Sequence, residues 1–222
     1  MSGRRNHLRF AVSPPTLGVV RVLSDAEIES VEPDGVCVIS RDAAAIDERM
    51  VLEVPGEGTD VSVAAQVTET RPVILDNAVR HFLRLRALNG LDHLGRTNGG
   101  GHPSYGSDKR LAVIAREFAV RVVNCSRAGC LFEADRAIDP GTVGTLSLVL
   151  DGHELADHIL VVRCQQIAGA GPLHHIGARL LWVETPTAHT IRRGLTAYEN
   201  PADSPSGEAF TRKPYRIKQR PR

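Results

Sequence analysis

Short runs rich in valine, leucine and isoleucine, cut at intervals by glycine, proline, aspartate and asparagine, fill both halves of this 222-residue chain. Short strands at regular spacing with turn signals between them argue for an antiparallel barrel or sandwich in each half. In the second half the runs cover roughly 117–123, 130–134, 142–150, 153–163 and 173–183. Asp151-Gly152 joins two of them and is the strongest hairpin signal in the chain. The first half offers comparable runs near 17–23, 27–32, 35–40, 50–54, 60–70 and 78–88, with Pro55-Gly56-Glu57-Gly58 as its hairpin turn.

Laid on each other with Gly35 against Gly129, the halves match in order and approximate spacing. Val36-Cys37-Val38-Ile39 falls on Cys130-Leu131-Phe132-Glu133, and Arg80–Leu85 falls near His174–Arg179. The match is one of pattern, with low identity. Between the halves, residues 89–109 with Gly99-Gly100-Gly101 and Pro103 read as a flexible linker that reaches about 25 Å. After the second half, Thr185-Pro186 opens a helical pattern with Ile191, Leu195 and Tyr198 on one face, Thr185 as N-cap and Pro201 past the end. Residues 200–222 show no periodicity and are expected to be disordered.

Net charge narrows the partners. The chain carries +1 overall, but residues 211–222 hold six basic residues and no acid, which leaves −5 on the other 210. The folded part therefore has no bulk positive charge to mark it as a nucleic-acid binder. The tail could attract nucleic acid or anionic lipid by charge, and a solubilising extension fits it equally. No apolar run is long enough for a membrane span, and since no apolar stretch follows the basic Met1–His7, no secretion signal is expected. Cys37, Cys125, Cys130 and Cys164 show neither CxxC nor zinc spacing and read as small buried hydrophobes in a reducing compartment, so a cytoplasmic location is expected.

The stretch richest in chemistry is Asn124-Cys125-Ser126-Arg127-Ala128-Gly129, between two strand-like runs. Such a turn puts an amide and a hydroxyl side by side at a sheet rim, with a glycine where backbone must come close. It resembles the [Asp/Asn]-x-Ser-x-x-Gly signature of PilZ domains, the bacterial receptors for cyclic di-GMP. A second element of that family, Arg-x-x-x-Arg, is matched by Arg5-Asn6-His7-Leu8-Arg9. The resemblance implies a mainly β fold of two tandem PilZ-like six-stranded antiparallel barrels with a C-terminal helix after the second. It places a degenerate barrel at 10–88 behind an arginine arm at 1–9, and a second barrel plus helix at 110–199. It also implies a ligand, cyclic di-GMP, clamped by arginines on guanine faces and phosphates while Asn124 and Ser126 bond the guanine edge. Arginine suits that role because its planar fork pairs with guanine or phosphate and stacks on bases.

The two elements fall on opposite halves. Arg5 and Arg9 sit ahead of Ser30-Val31-Glu32-Pro33-Asp34-Gly35, where Glu32 takes the serine position and Asp34 adds a second carboxylate. Carboxylates facing a dianion weaken binding. The second half keeps the turn, but its upstream region has no Arg-x-x-x-Arg; Lys109, Arg110 and Arg116 are the nearest cations. Three arrangements follow. Arg5 and Arg9 complete a site with Asn124, Ser126 and Gly129; or the second barrel binds alone with Arg110, Arg116 or Arg121 substituting; or neither half binds nucleotide and both dock a protein partner. An Asx or Ser turn that merely caps a strand also fits residues 124–129.

Other motifs give less. His153 and His158 are five apart on an expected strand, hence on opposite faces and not a zinc pair. No Ser-His-Asp or Cys-His arrangement can be nominated, since Ser126 has no placed base. A non-enzymatic role with no cofactor and no metal is expected.

Overall fold

The computed structural model describes residues 10–56, 60–89, 110–150, 152–169, 171–181 and 189–199. Among these residues are ten strands and one helix: β1 Phe10–Glu32, β2 Gly35–Ser40, β3 Arg49–Val54, β4 Val61–Leu75, β5 Ala78–Ala87, β6 Arg110–Ser126, β7 Gly129–Ala134, β8 Val143–Leu150, β9 His153–Gln166, β10 His174–Leu180 and α1 Ile191–Glu199. All recorded strand pairs are antiparallel. They follow one another as β1-β2-β5-β4-β3-β6-β7-β10-β9-β8, and β8 returns to β1. The expected mainly β architecture with a helix near the end is what folds. No helix among the described residues is long and apolar enough to cross a membrane.

The chain divides into two compact units. One runs Leu23–Arg116; the other takes the described residues up to Val22 together with those from Glu117 onward. Two long strands change unit partway along. Gly18–Val22 of β1 pairs with Gly144–Leu148 of β8, whereas Ala26–Glu32 of the same strand pairs with β2. Val51–Glu53 of β3 pairs with Val113–Ala115 of β6, whereas Val120–Ser126 of β6 pairs with β7. Sequence pattern assigned residues 10–22 to the first half and 110–116 to the second; the units hold them the other way round. Each unit thus assembles six strand segments, one of them borrowed.

Alternation explains how one strand serves two cores. Successive side chains of a strand point to opposite faces, so every second residue faces inward. Val12, Val20 and Val22 of β1 bury in one core and Ala26 and Ile28 in the other, while β6 buries Ala112 and Ile114 first and Phe118, Val120 and Val122 later. The Leu23–Arg116 unit closes around Leu52, Val67, Leu83, Leu85 and Ile114. The other closes around Phe132, Leu146, Ile159 and Ile176 and adds Ile191 and Leu195 of α1. Those two helical positions are as expected. The cap differs: Thr190 Oγ1 accepts the Arg193 N–H at 3.3 Å, one residue ahead of the helix. Thr185 and Pro201 lie outside the described residues, as do Arg5, Arg9, nearly all of the 89–109 linker and the 200–222 tail.

Candidate functional site

The Asn124–Gly129 turn joins β6 to β7, and one irregularity sets its chemistry. Register shifts between Val122 and Asn124, so Val123 is an extra residue opposite β7. Without this bulge, positions 124 and 126 would continue the inward series of 118, 120 and 122. The bulge resets the phase, so that Cys125 enters the core and Asn124 and Ser126 turn to the outer face. Across four strands this face presents three aligned rows: Arg121, Glu133, His175 and Gln165; Asn124, Leu131, Gly177 and Arg163; Ser126, Gly129, Arg179 and Leu160.

Each signature residue has a definite setting. Asn124 is half-buried beside the bulge. Ser126 is buried, and its hydroxyl is engaged inside the turn: Oγ donates to the Gly129 carbonyl at 3.1 Å and accepts from the Ala128 N–H at 3.4 Å. Gly129 is glycine because β10 comes so close that an added Cβ would lie 2.2 Å from the Ala178 carbonyl oxygen. The backbone approach expected at this glycine is thus made by a neighbouring strand. Arg116 lies in the other unit, where its guanidinium donates to the Ala43 carbonyl at 3.0 Å and pairs with Asp42 at 3.5 Å.

A pocket of about 340 Å³ opens here, lined by Ser126, Gly129, Leu131, Arg163, Gly177 and Arg179 among others. That is at the small end of ligand pockets, roughly 300–1,000 Å³. Among the described residues no carboxylate lines it, and neither the Arg163 nor the Arg179 guanidinium has a hydrogen-bond or ion-pair partner. Gly177 makes the room: a Cβ there would meet Arg163 Nε at 2.7 Å and Cγ at 2.9 Å, so the arginine lies flat across the glycine. Sequence reasoning did not find Arg163 or Arg179. They come from strands far along the chain, and only register places them beside the turn.

The Leu23–Arg116 unit repeats this local plan with different side chains. Its turn has the same bulge, between Ile28 and Ser30, and the same tight glycine, Gly35, whose Cβ would fall 2.1 Å from the Leu85 carbonyl oxygen. Matching backbone bonds recur, Ala87 N–H to the Asp34 carbonyl in one unit and Leu180 N–H to the Ala128 carbonyl in the other, each 3.0 Å. In that register Glu32 stands for Ser126, Arg84 for Gly177 and Glu69 for Arg163. Arg84 grips Glu32 through Nη2 at 2.7 Å and Nε at 3.1 Å, and Arg86 bonds Gln66 at 2.7 Å. The Arg84 hydrogen bonds, helped by one from Cys37, hold the Glu32 carboxyl below its ordinary range. Here the cations are already satisfied.

Beside the pocket, Glu133 accepts from Arg121 and contacts His175 Nε2 at 2.9 Å. Burial pushes its pKa up, but the bonds from Arg121 and His175 outweigh that and hold it below the usual value. Among the described residues no cluster of histidine, cysteine and carboxylate side chains could hold a metal ion.

No family model matches the chain, and no curated protein matches it. Among solved structures it is similar to MrkH from K. pneumonia in its apo state, at 9% identity and a TM-score of 0.32, covering 82% of this chain and 86% of that one. It is similar to Borreliella burgdorferi PlzA in complex with c-di-GMP, at 9% identity and a TM-score of 0.28, covering 80% and 87%. The MrkH–c-di-GMP complex matches at 6% identity and a TM-score of 0.26, covering 77% and 81%.

Proposed function

We propose that this chain is a non-enzymatic cytoplasmic receptor of PilZ type that binds cyclic di-GMP on the outer face of β7, β9 and β10. In this reading each unit is a PilZ-like barrel of six strand segments, and only the one carrying Asn124–Gly129 takes ligand. The observation that carries it is the contrast between the two outer faces. Among the described residues, one has a pocket with two unengaged guanidinium groups and no carboxylate; the other has its arginines held by Glu32 and Gln66. A dinucleotide carries two phosphates and two flat bases, and guanidinium groups serve both through bidentate bonding and stacking.

Arg163 and Arg179 are then the cations on the strands. Arg5 and Arg9, which precede β1 and so lead into the segment that pairs with β8, are the clamps. Asn124 is the edge-reading amide, and Ser126 with Gly129 shapes the turn. Titration calorimetry of the full chain with cyclic di-GMP at low salt tests this. Saturable heat is expected, weakened at least tenfold by Arg179→Ala and by Arg9→Ala. No heat with the wild-type chain ends the receptor reading.

One observation favours a second reading, a scaffold that docks a protein partner and binds no nucleotide. The Ser126 hydroxyl is already satisfied by Gly129 and Ala128, so reading a guanine edge requires it to leave both. A wild-type chain silent to nucleotide yet retaining a specific protein partner through this face would support it.

A further inference from the structure

Cys125 and Cys130 bracket the Ser126–Gly129 turn. They are register partners on β6 and β7, both are buried, and their sulfurs lie 2.9 Å apart. The pairing class follows from the turn. Ser126 and Gly129 flank a two-residue connection, Arg127-Ala128, so they form the hydrogen-bonded closing pair of the hairpin. The next pair, Cys125 with Cys130, is therefore a non-hydrogen-bonded one, where facing Cα atoms approach to about 4.5 Å. That lies within the span a disulfide bridges, about 4.4–6.8 Å, and the sulfurs need to close to about 2.05 Å.

We infer that Cys125 and Cys130 are a dithiol–disulfide switch that staples the turn lining the groove. The oxidant is hydrogen peroxide. One thiolate attacks a peroxide oxygen, the O–O bond breaks, and a sulfenic acid forms as hydroxide leaves and takes up the thiol proton as water. The second thiol attacks the sulfenic sulfur, the S–O bond breaks, water departs, and the S–S bond closes. Two thiols are oxidised by two electrons and one peroxide is reduced to two waters. The hydrogen bond from Cys125 and the burial of Cys130 both push the Cys130 thiol up, so thiolate is scarce.

The staple fixes the base of a hairpin whose tip contributes Ser126, Ala128 and Gly129 to the pocket. Ordering a loop before binding removes that cost from the binding step. The ligand part of the inference rests on the receptor reading; the sulfur chemistry does not. The full chain is treated with hydrogen peroxide or with a phosphine reductant, then unfolded, its thiols counted and its peptides mapped by mass. Two of the four thiols are expected to disappear, with loss of two hydrogens, in a peptide linking 125 and 130. Cys130→Ala should keep the remaining thiols free.

Amide hydrogen exchange across 126–129 should slow in the oxidised chain, and cyclic di-GMP should bind roughly threefold tighter. Four free thiols after treatment, or a link through Cys37 or Cys164, overturns the inference, as does a 125–130 disulfide that leaves both exchange and affinity unchanged. A disulfide that slows exchange in a chain binding no nucleotide in either form supports the staple and removes the receptor reading instead.

Discussion

Arg84 donates to Glu32 through Nε and Nη2, at the register positions where the other unit has Gly177 and Ser126. A salt bridge in one unit thus marks the place of an open pocket in the other. The same backbone plan supports a self-satisfied ion pair or an open pocket beside two arginines, depending on two side chains.

That relationship predicts the result of a transplant. Ser126→Glu with Gly177→Arg should reproduce the Glu32–Arg84 pair on the pocket face, fill it and displace Arg163. Cyclic di-GMP affinity by calorimetry should fall at least tenfold, with far-ultraviolet dichroism unchanged. Full affinity in the double variant would place the ligand elsewhere on the chain.

The tight glycines predict a stability loss independent of any ligand. Gly129→Ala drives a methyl against the Ala178 carbonyl and Gly35→Ala drives one against that of Leu85, both backbone atoms that cannot swing aside. Each should lower stability by about 1–3 kcal/mol, the usual range for overpacking. Urea unfolding checks this; an unchanged midpoint for either variant would show that β5 or β10 can withdraw at no cost.

Two carboxylates should respond to pH with opposite signs. Glu133 is held below its ordinary pKa, so its contribution is present above the unfolded value and fades as pH falls through the folded one. Asp157 is pushed up chiefly by burial, against the opposing bond from the Arg192 N–H at 3.2 Å. Its contribution is fully present below the unfolded pKa and is lost as pH rises through the folded value. Glu133→Gln should therefore destabilise at neutral pH and converge on wild type in acid. Asp157→Asn, whose amide oxygen can still accept the Arg192 N–H, should gain on wild type as pH rises through the same range. Thermal melts from pH 3 to 8 give the comparison, and parallel curves for the two variants would contradict the assignment.

How much of this was legible follows from the forces involved. Strand positions were readable because inward valine, leucine and isoleucine alternate with polar residues. The change of unit within β1 was not: the runs at 17–23 and 27–32 part near that point, but pattern read them as two strands of one half, and no glycine or proline shows that one continuous strand serves both units. The first run was read from residue 17, yet β1 starts at Phe10 and passes through Pro14-Pro15. The β8 ladder begins only at Gly18, so it does not need the missing proline donors. The turn at 124–129 was legible because its residues are contiguous. Arg163 and Arg179 were not, because their meeting depends on the registers of β9 and β10 and on a bulge beside Gly177. Arg116 drew notice as a nearby cation, but Asp42 and the Ala43 carbonyl engage it.

The helix supplies the last prediction, since it separates capping from packing in one element. Thr190 Oγ1 accepts from Arg193 N–H and the buried Asp157 accepts from Arg192 N–H, so two of the donors left open at the start of α1 are met, one by a hydroxyl and one by a carboxylate from β9. Leu195 is 1% exposed and lies within the core of the unit that carries the pocket. Thr190→Ala should cost about 0.5–2 kcal/mol, as loss of an N-cap does. Leu195→Ala should cost about 2–5 kcal/mol, because it removes buried methyl groups and leaves a cavity. The two act on the same nine-residue helix, which is too short to persist without its packed face. Once Leu195 is truncated and α1 loosens, the cap has less helix to stabilise. The double variant should therefore lose less than the sum of the singles in urea unfolding, and strict additivity would show that α1 stays docked without Leu195.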